Sequence, residues 1–175
     1  ACLGKEYETL YTLEVVCHGV PSHGVFEIFV KEQEQAFESK AVKVNMRDKT
    51  VMDWNHALSI QFANGKKGKW KRNESSYLRA FLNLLDIRPS CGNCQFAKLP
   101  RVADLTIADF WDVHRFDPKL DDRKGTSAVL VNNEKGRFLL SKIKPAAKLC
   151  TPVPLSHAIK YNPQIKYSSI HNKKR

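Results

Sequence analysis

The chain has 175 residues, 42% of them hydrophobic, with 29 Lys and Arg against 18 Asp and Glu, a formal charge of +11. That is enough chain for one domain with a real core, and no apolar run approaches the ~20 residues of a membrane span. The start, "ACLGKEYETLYTLEVV", has no basic end followed by an apolar run, so no secretion signal is read and a cytoplasmic location is expected. The first residue is not Met, and the opening reads as the end of a helix before a strand, so a piece of a longer chain is expected.

In chain order, "TLYTLEVVCHG" (9–19) reads as a buried strand running into a turn, with Ser22 placed to cap the next element. Residues 22–37 space Val25, Phe26, Phe29, Val30 and Phe37 as an amphipathic helix. "KAVKVNMRD" alternates like a half-buried strand, and "HALSIQFANGKKGKW" reads as a hairpin turning at Asn64-Gly65. "SSYLRAFLNLLDI" (75–87) predicts a helix capped by Ser75 or Ser76 and stopped by Arg88-Pro89. A Cys-x-x-Cys turn follows, then the strand "ADLTIADFW", the loop "DPKLDDRKG", the strand "TSAVLVNN" and the helix "EKGRFLLSKI". "AKLCTPV" predicts a last strand and "PLSHAIKYNPQI" a closing helix or turn. The irregular alternation predicts a single α+β domain over residues 1–170, a mixed β-sheet flanked by helices, with a disordered basic tail at 171–175.

Five cysteines, Cys2, Cys17, Cys91, Cys94 and Cys150, argue against a disulfide framework, since the count is odd and the expected compartment is reducing. Cys91 and Cys94 flank Gly92-Asn93, a spacing that lets both thiolates reach one zinc, one iron–sulfur cluster or one dithiol redox site. Cys17 ends a strand beside His18 and is placed to be a third ligand or a core thiol, while His18 itself reads as a ligand, a hydrogen-bond donor or a turn residue. Cys2 and Cys150 are assigned structural roles. "DFWD" (109–112) reads either as an aromatic core plug or as a wall for a flat heterocycle. "RKGTS" (123–127) offers cations, amides and hydroxyls to phosphate without P-loop spacing. "NGKKGKWKR" sets basic residues around one Trp, a nucleic-acid patch by composition alone.

Taken together, "CHGVPS", "LRAFLNLLDIRPSCGNCQFAKLPRVADLTIADFWDV" and "KGTSAVLVNNEKG", in that order, resemble the C-terminal domain of the coenzyme F420 hydrogenase/dehydrogenase beta-subunit family. The resemblance implies an iron–sulfur flavoprotein passing electrons between FAD and a 4Fe-4S cluster, with coenzyme F420 as the substrate in methanogens. It implies Cys17, Cys91 and Cys94 as cluster ligands. The fourth ligand is expected from a ferredoxin-like, cluster-binding N-terminal region of the same chain, and other redox subunits or ferredoxin are the implied partners. Nucleic acid is not. Its flavin contacts would be His18, Gly19, Ser22, Asp109, Phe110, Trp111, Lys124, Gly125 and Ser127. The family commonly has Gly-Asp-Phe-Trp-Gly where this chain has Ala108-Asp109-Phe110-Trp111-Asp112. Glycine permits close backbone approach to a ligand, and Asp112 would repel a phosphate beside it. Two other readings stand beside this one: a scaffold domain in a polysaccharide-biosynthesis pathway, and a zinc-clipped nucleic-acid-binding domain.

Overall fold

The computed structural model describes residues 4–5, 7–52, 54 and 56–169. Cys2 and the 171–175 tail lie outside the described residues. The fold is α+β, with six strands in two three-stranded sheets. Two compact units carry one sheet each: Ala1–Cys17 with Gln95–Tyr167 (the first unit), and His18–Cys94 with Ser168–Arg175 (the second unit).

In the second unit, helix α1 (His23–Phe37) starts behind Ser22 and ends where Glu38 turns left-handed (φ 50°). Its apolar stripe packs on an antiparallel sheet of β2 (Ala41–Asn45), β3 (Ala57–Phe62) and β4 (Lys67–Lys71), in the order β2-β3-β4. The hairpin turns at Asn64-Gly65, and Gly65 takes the φ of 82° that the turn needs. Phe29, Leu58, Ile60, Phe62, Tyr77 and Leu78 form the core. The rings of Phe37 and Phe62 stack 4.3 Å apart, and Trp70 meets Phe29 and Phe37 edge-on. Trp70 therefore points inward, and the basic hairpin has no aromatic platform of its own.

The central strand β3 is buried on both faces. Its outer face is covered by the short helix α2 (Lys49–Met52) and the residues just before it, and Asp48 fastens that cover. The carboxylate of Asp48 is 2% exposed. It accepts from the Ser59 hydroxyl (2.5 Å) and from the hydroxyl and N–H of Thr50 (2.6 and 3.0 Å), and it pairs with Lys67 at 3.1 Å. Those donors, the Ser59 hydroxyl first and then Thr50 and Lys67, hold its pKa far below the usual carboxylate range.

Helix α3 (Ser76–Leu82) is capped by Ser75, whose Oγ accepts from Leu78 N–H (3.2 Å). The helix stops well before Arg88-Pro89. Leu84 is left-handed (φ 59°), Leu85 N–H donates to Ala80 O and Leu84 N–H to Phe81 O, a Schellman closure. The chain that leaves it pairs instead with residues 20–22: Ser22 N–H donates to Asp86 O, Arg88 N–H to Val20 O, and Pro21 bridges Ile87.

In the first unit, β1 (Leu13–Val15) runs parallel to β5 (Leu105–Asp109), which runs antiparallel to β6 (Ser127–Val131). This is the expected mixed sheet. The strand expected over 9–19 is only three residues long, because backbone pairing to β5 lasts only that far. Helices α4 (Val113–Phe116), α5 (Glu134–Ile143) and α6 (Leu155–Tyr161) complete the unit. Its core is lined by small residues, Ala108, Ala128 and Ala158, with Phe110, Val113 and Ile165. Helix α5 is capped by Asn133 and approaches so closely that a Cβ on Gly136 would lie 2.0 Å from the Asp104 carbonyl oxygen. The expected strand at 147–153 is coil: Pro152 lies within it and Pro154 follows it, and no described strand pairs with it. Cys150 is exposed there rather than packed in a core, so the structural role assigned to it is not one of packing.

Candidate metal and cofactor site

The Cys-x-x-Cys pair sits on a 3-10 turn, Pro89–Asn93, immediately after the segment that pairs with residues 20–22. Both thiols are free and half-buried. Cys91 Sγ accepts the N–H of Val20 at 3.3 Å, the kind of N–H···S contact that tunes the potential of a thiolate-held cluster. The carbonyl of Cys94 accepts from Ser168 Oγ (3.2 Å). Gly19 carries φ 149°, and a Cβ there would meet Ile87 Cγ2 at 2.9 Å, so glycine is what lets this segment lie against the strand that leads into the Cys turn.

His18 has its ring Nε2 and its backbone carbonyl occupied. Its Nε2–H donates to the Phe81 carbonyl (3.2 Å), its ring sits edge-on to Phe81, and its carbonyl accepts from Ser169 Oγ. Ser22 uses its N–H on Asp86, and its hydroxyl makes no capping bond. Asp86 was not singled out by its sequence. Both of its carboxyl oxygens are buried without a hydrogen-bond partner among the described residues. Burial pushes its pKa up, and its charge in turn adds to the burial that raises the Tyr77 hydroxyl.

The other candidates gather in the first unit. Parallel pairing of β1 with β5 (Val15 with Ile107, then Val16 N–H to Ile107 O) carries Cys17 to the same sheet end as Asp109. Antiparallel pairing sets Ser127 opposite Asp109, and Phe110 N–H donates to Thr126 O (2.8 Å). Cys17, "DFWD" and "RKGTS" thus meet at one edge of one sheet, with Cys17 exposed.

Within that edge the expected contacts divide. Phe110 is 3% exposed and sits in the core with Val113, Ala158 and Ile165, so its ring is used in packing and not as a wall. Trp111 is half-buried. The amides of Arg123 and Lys124 already donate to the Asp121 and Asp122 carboxylates (2.9 and 3.0 Å). The loop carries three acids, Asp117, Asp121 and Asp122, with Asp112 nearby in sequence as a fourth, and as folded it does not fit a diphosphate held by its amides. Gly125 does require glycine, at φ 100°. Among the described residues, no three His, Cys, Asp or Glu side chains form a metal-binding group.

A network that sequence reasoning missed ties together the opposite end of the same sheet, where β5 begins and β6 ends. Arg101 Nε pairs with Glu14 (2.6 Å), Glu14 accepts from the Thr106 hydroxyl (2.6 Å), and Asn132 bonds Thr106 and the Ala103 carbonyl. Asp104 accepts from Thr12 and Asn133. Burial works to raise the pKa of Asp104, but the Asn133 amide and the Thr12 donors outweigh it and leave it below the ordinary value. Single polar residues inside apolar strands carry no periodic signal.

Residues 4–154 match the family model that describes the C terminus of the coenzyme F420 hydrogenase/dehydrogenase beta subunit. The chain belongs to this family. Its context is therefore that of redox proteins, as the C-terminal domain of a beta subunit that works with other redox regions. Comparison with the curated proteins gave no match. No helix among the described residues is long and apolar enough to cross a membrane. Asp112, the position at which the resemblance leads one to expect glycine, adopts φ 53°, ψ 29°, the left-handed conformation that glycine takes without steric cost and that Asp tolerates. Helix α6 lies beyond the matched residues, yet it supplies Ala158 to the first unit's core.

Proposed function

We propose that this chain is the C-terminal domain of an oxidoreductase subunit whose Cys17, Cys91 and Cys94 are thiolate ligands of a 4Fe-4S cluster, the fourth ligand coming from a cluster-binding N-terminal region or a partner redox subunit. The observation that carries this reading is the Cys91–Val20 contact. One thiol of the ligand-spaced pair, Cys91, receives the backbone N–H of Val20, three residues after Cys17 in sequence. Free thiols at Cys17, Cys91 and Cys94 are the donor set that iron–sulfur chemistry uses. A cluster bound there would supply one-electron transfer.

The flavin part of the reading rests on fewer residues than the sequence suggested. Trp111, Asp109 and Ser127 remain as contacts for the ring and its polar edge, with His18 and Gly19 on the other motif. Lys124 contributes a cationic side chain, but its amide and that of Arg123 are engaged by aspartates. FAD, and coenzyme F420 as the electron partner, belong to this proposal through the family and not through a fitted pocket.

The test is iron and acid-labile sulfide content of the native protein purified anaerobically from its own cells, compared with Cys17→Ser, Cys91→Ser and Cys94→Ser variants. Iron and sulfide with a visible absorption band, each lost in all three variants, is the expected result. Stoichiometric zinc without sulfide, or iron content indifferent to the three substitutions, overturns it. For the flavin, Asp112→Gly should tighten FAD binding in a fluorescence titration.

A further inference from the structure

The basic hairpin ends in an open sheet edge, and the pairing register says which groups line it. Phe62 N–H donates to Lys66 O (2.9 Å) and Arg72 N–H to His56 O (3.0 Å). Between them Ile60 pairs with Gly68 and Leu58 with Trp70. In an antiparallel ladder, residues that exchange hydrogen bonds alternate with residues that do not. Residues 66, 68, 70 and 72 therefore aim their backbone groups at β3. Lys67, Lys69 and Lys71 aim theirs outward.

One end of that edge is closed. Lys71 N–H donates to the Glu74 carboxylate (2.8 Å), and its carbonyl accepts from the N–H groups of Glu74 and Ser75. The outward N–H and C=O of Lys67 and Lys69 have no partner among the described residues, leaving two residues' worth of ladder, four hydrogen bonds, on offer.

The side chains above this edge share one sign. Lys67, Lys69 and Lys71 all point to the outer face and are exposed. Lys67 is neutralised by Asp48. Lys69 and Lys71 form no ion pair among the described residues, and Lys66 and Arg72 flank them. Lysines at an edge ordinarily discourage strand addition. These would repel a cationic strand and gain nothing from an apolar one, whereas acids at alternate positions of an added strand would stand directly across from them, within about 5.5 Å between Cβ atoms.

We propose that β4 is a docking edge for an extended acidic segment of a partner polypeptide, which adds to the sheet as a fourth strand beside Lys67 and Lys69. Polypeptide is favoured over nucleic acid by two observations. The edge offers paired donors and acceptors that only another backbone can match. The one aromatic in the motif, Trp70, lies against Phe29 and Phe37 on the inner face and is not available to stack a base.

The experiment is fluorescence anisotropy of a labelled peptide alternating Glu and Thr, titrated with the full chain at low salt. Two peptide derivatives carry N-methyl groups on alternate residues, in the two opposite registers. A dT oligonucleotide of similar charge is the comparison. Expected are measurable peptide binding, a loss of at least roughly tenfold in Lys69→Glu, a smaller loss in Lys69→Gln, and a large loss for one N-methyl register only. Lys69 is exposed, and circular dichroism checks that both variants fold. No peptide binding, equal binding by both N-methyl registers, or tighter binding of the oligonucleotide than of the peptide each overturns the proposal.

Discussion

The two sheets bury their inner faces by opposite means. The second unit fills the space under β2-β3-β4 with rings, Phe29, Phe37, Phe62, Trp70 and Tyr77. The first unit brings helices close to β1-β5-β6 over alanines and one glycine, Ala108, Ala128, Ala158 and Gly136. Their outer faces differ as well. Asp48 and helix α2 close over β3, whereas Leu13, Val15 and Val129 are 60%, 63% and 43% exposed. The lesson is that the second sheet is held by the volume of its side chains and the first by the close approach of its backbones. The second should fail on truncation, the first on enlargement.

The largest expected effect is Phe62→Ala, which removes a ring that is 1% exposed and stacked on Phe37. It should cost about 3–5 kcal/mol in urea unfolding, while Val15→Ala on the open face stays within about 0.5 kcal/mol. Equal losses would break the comparison. Gly136→Ala comes next, at about 1–3 kcal/mol, because its Cβ must displace the Asp104 carbonyl or push α5 away. Neutral behaviour there would mean that α5 shifts freely.

Two buried aspartates of the second unit sharpen the contrast through pH. Asp48 has a depressed pKa, so its contribution is complete above the unfolded value of about 4 and is lost as pH falls below it. Asp48→Asn should be less stable than wild type at pH 7, with the deficit shrinking in acid. Asp86 has a raised pKa, so stability tied to it is complete below about pH 4 and is lost as pH rises through its folded value. Asp86→Asn should be more stable than wild type at pH 7, with the gain fading below about pH 4. Thermal melts of the three proteins across pH 3–7, a range on the order of the carboxylate pKa values, check both signs. The smallest effect is Asp112→Gly. Relief of the left-handed backbone is offset by glycine's greater unfolded-state freedom, leaving a gain of a few tenths of a kcal/mol at most.

Local chemistry was legible wherever it acts over a few residues. Helix α1 behind Ser22, the Asn64-Gly65 hairpin, Ser75 as a cap, helix α5 and the α+β class all follow from spacing, caps and turn residues. The family followed from three ordered motifs. Other features needed the folded chain, because partners distant in sequence decide them. Helix α3 stops at Leu82 because residues 86–88 pair with 20–22. Phe110 belongs to the core because α6 and Ile165, some fifty residues on in sequence, close over it. The "RKG" amides face aspartates of their own loop, and Trp70 turns inward beneath its lysines. Composition and periodicity report which residues favour a helix, a strand or burial. Which side of a ring meets solvent, and which amide still has a bond to give, is set by packing, and only the tertiary structure holds that information.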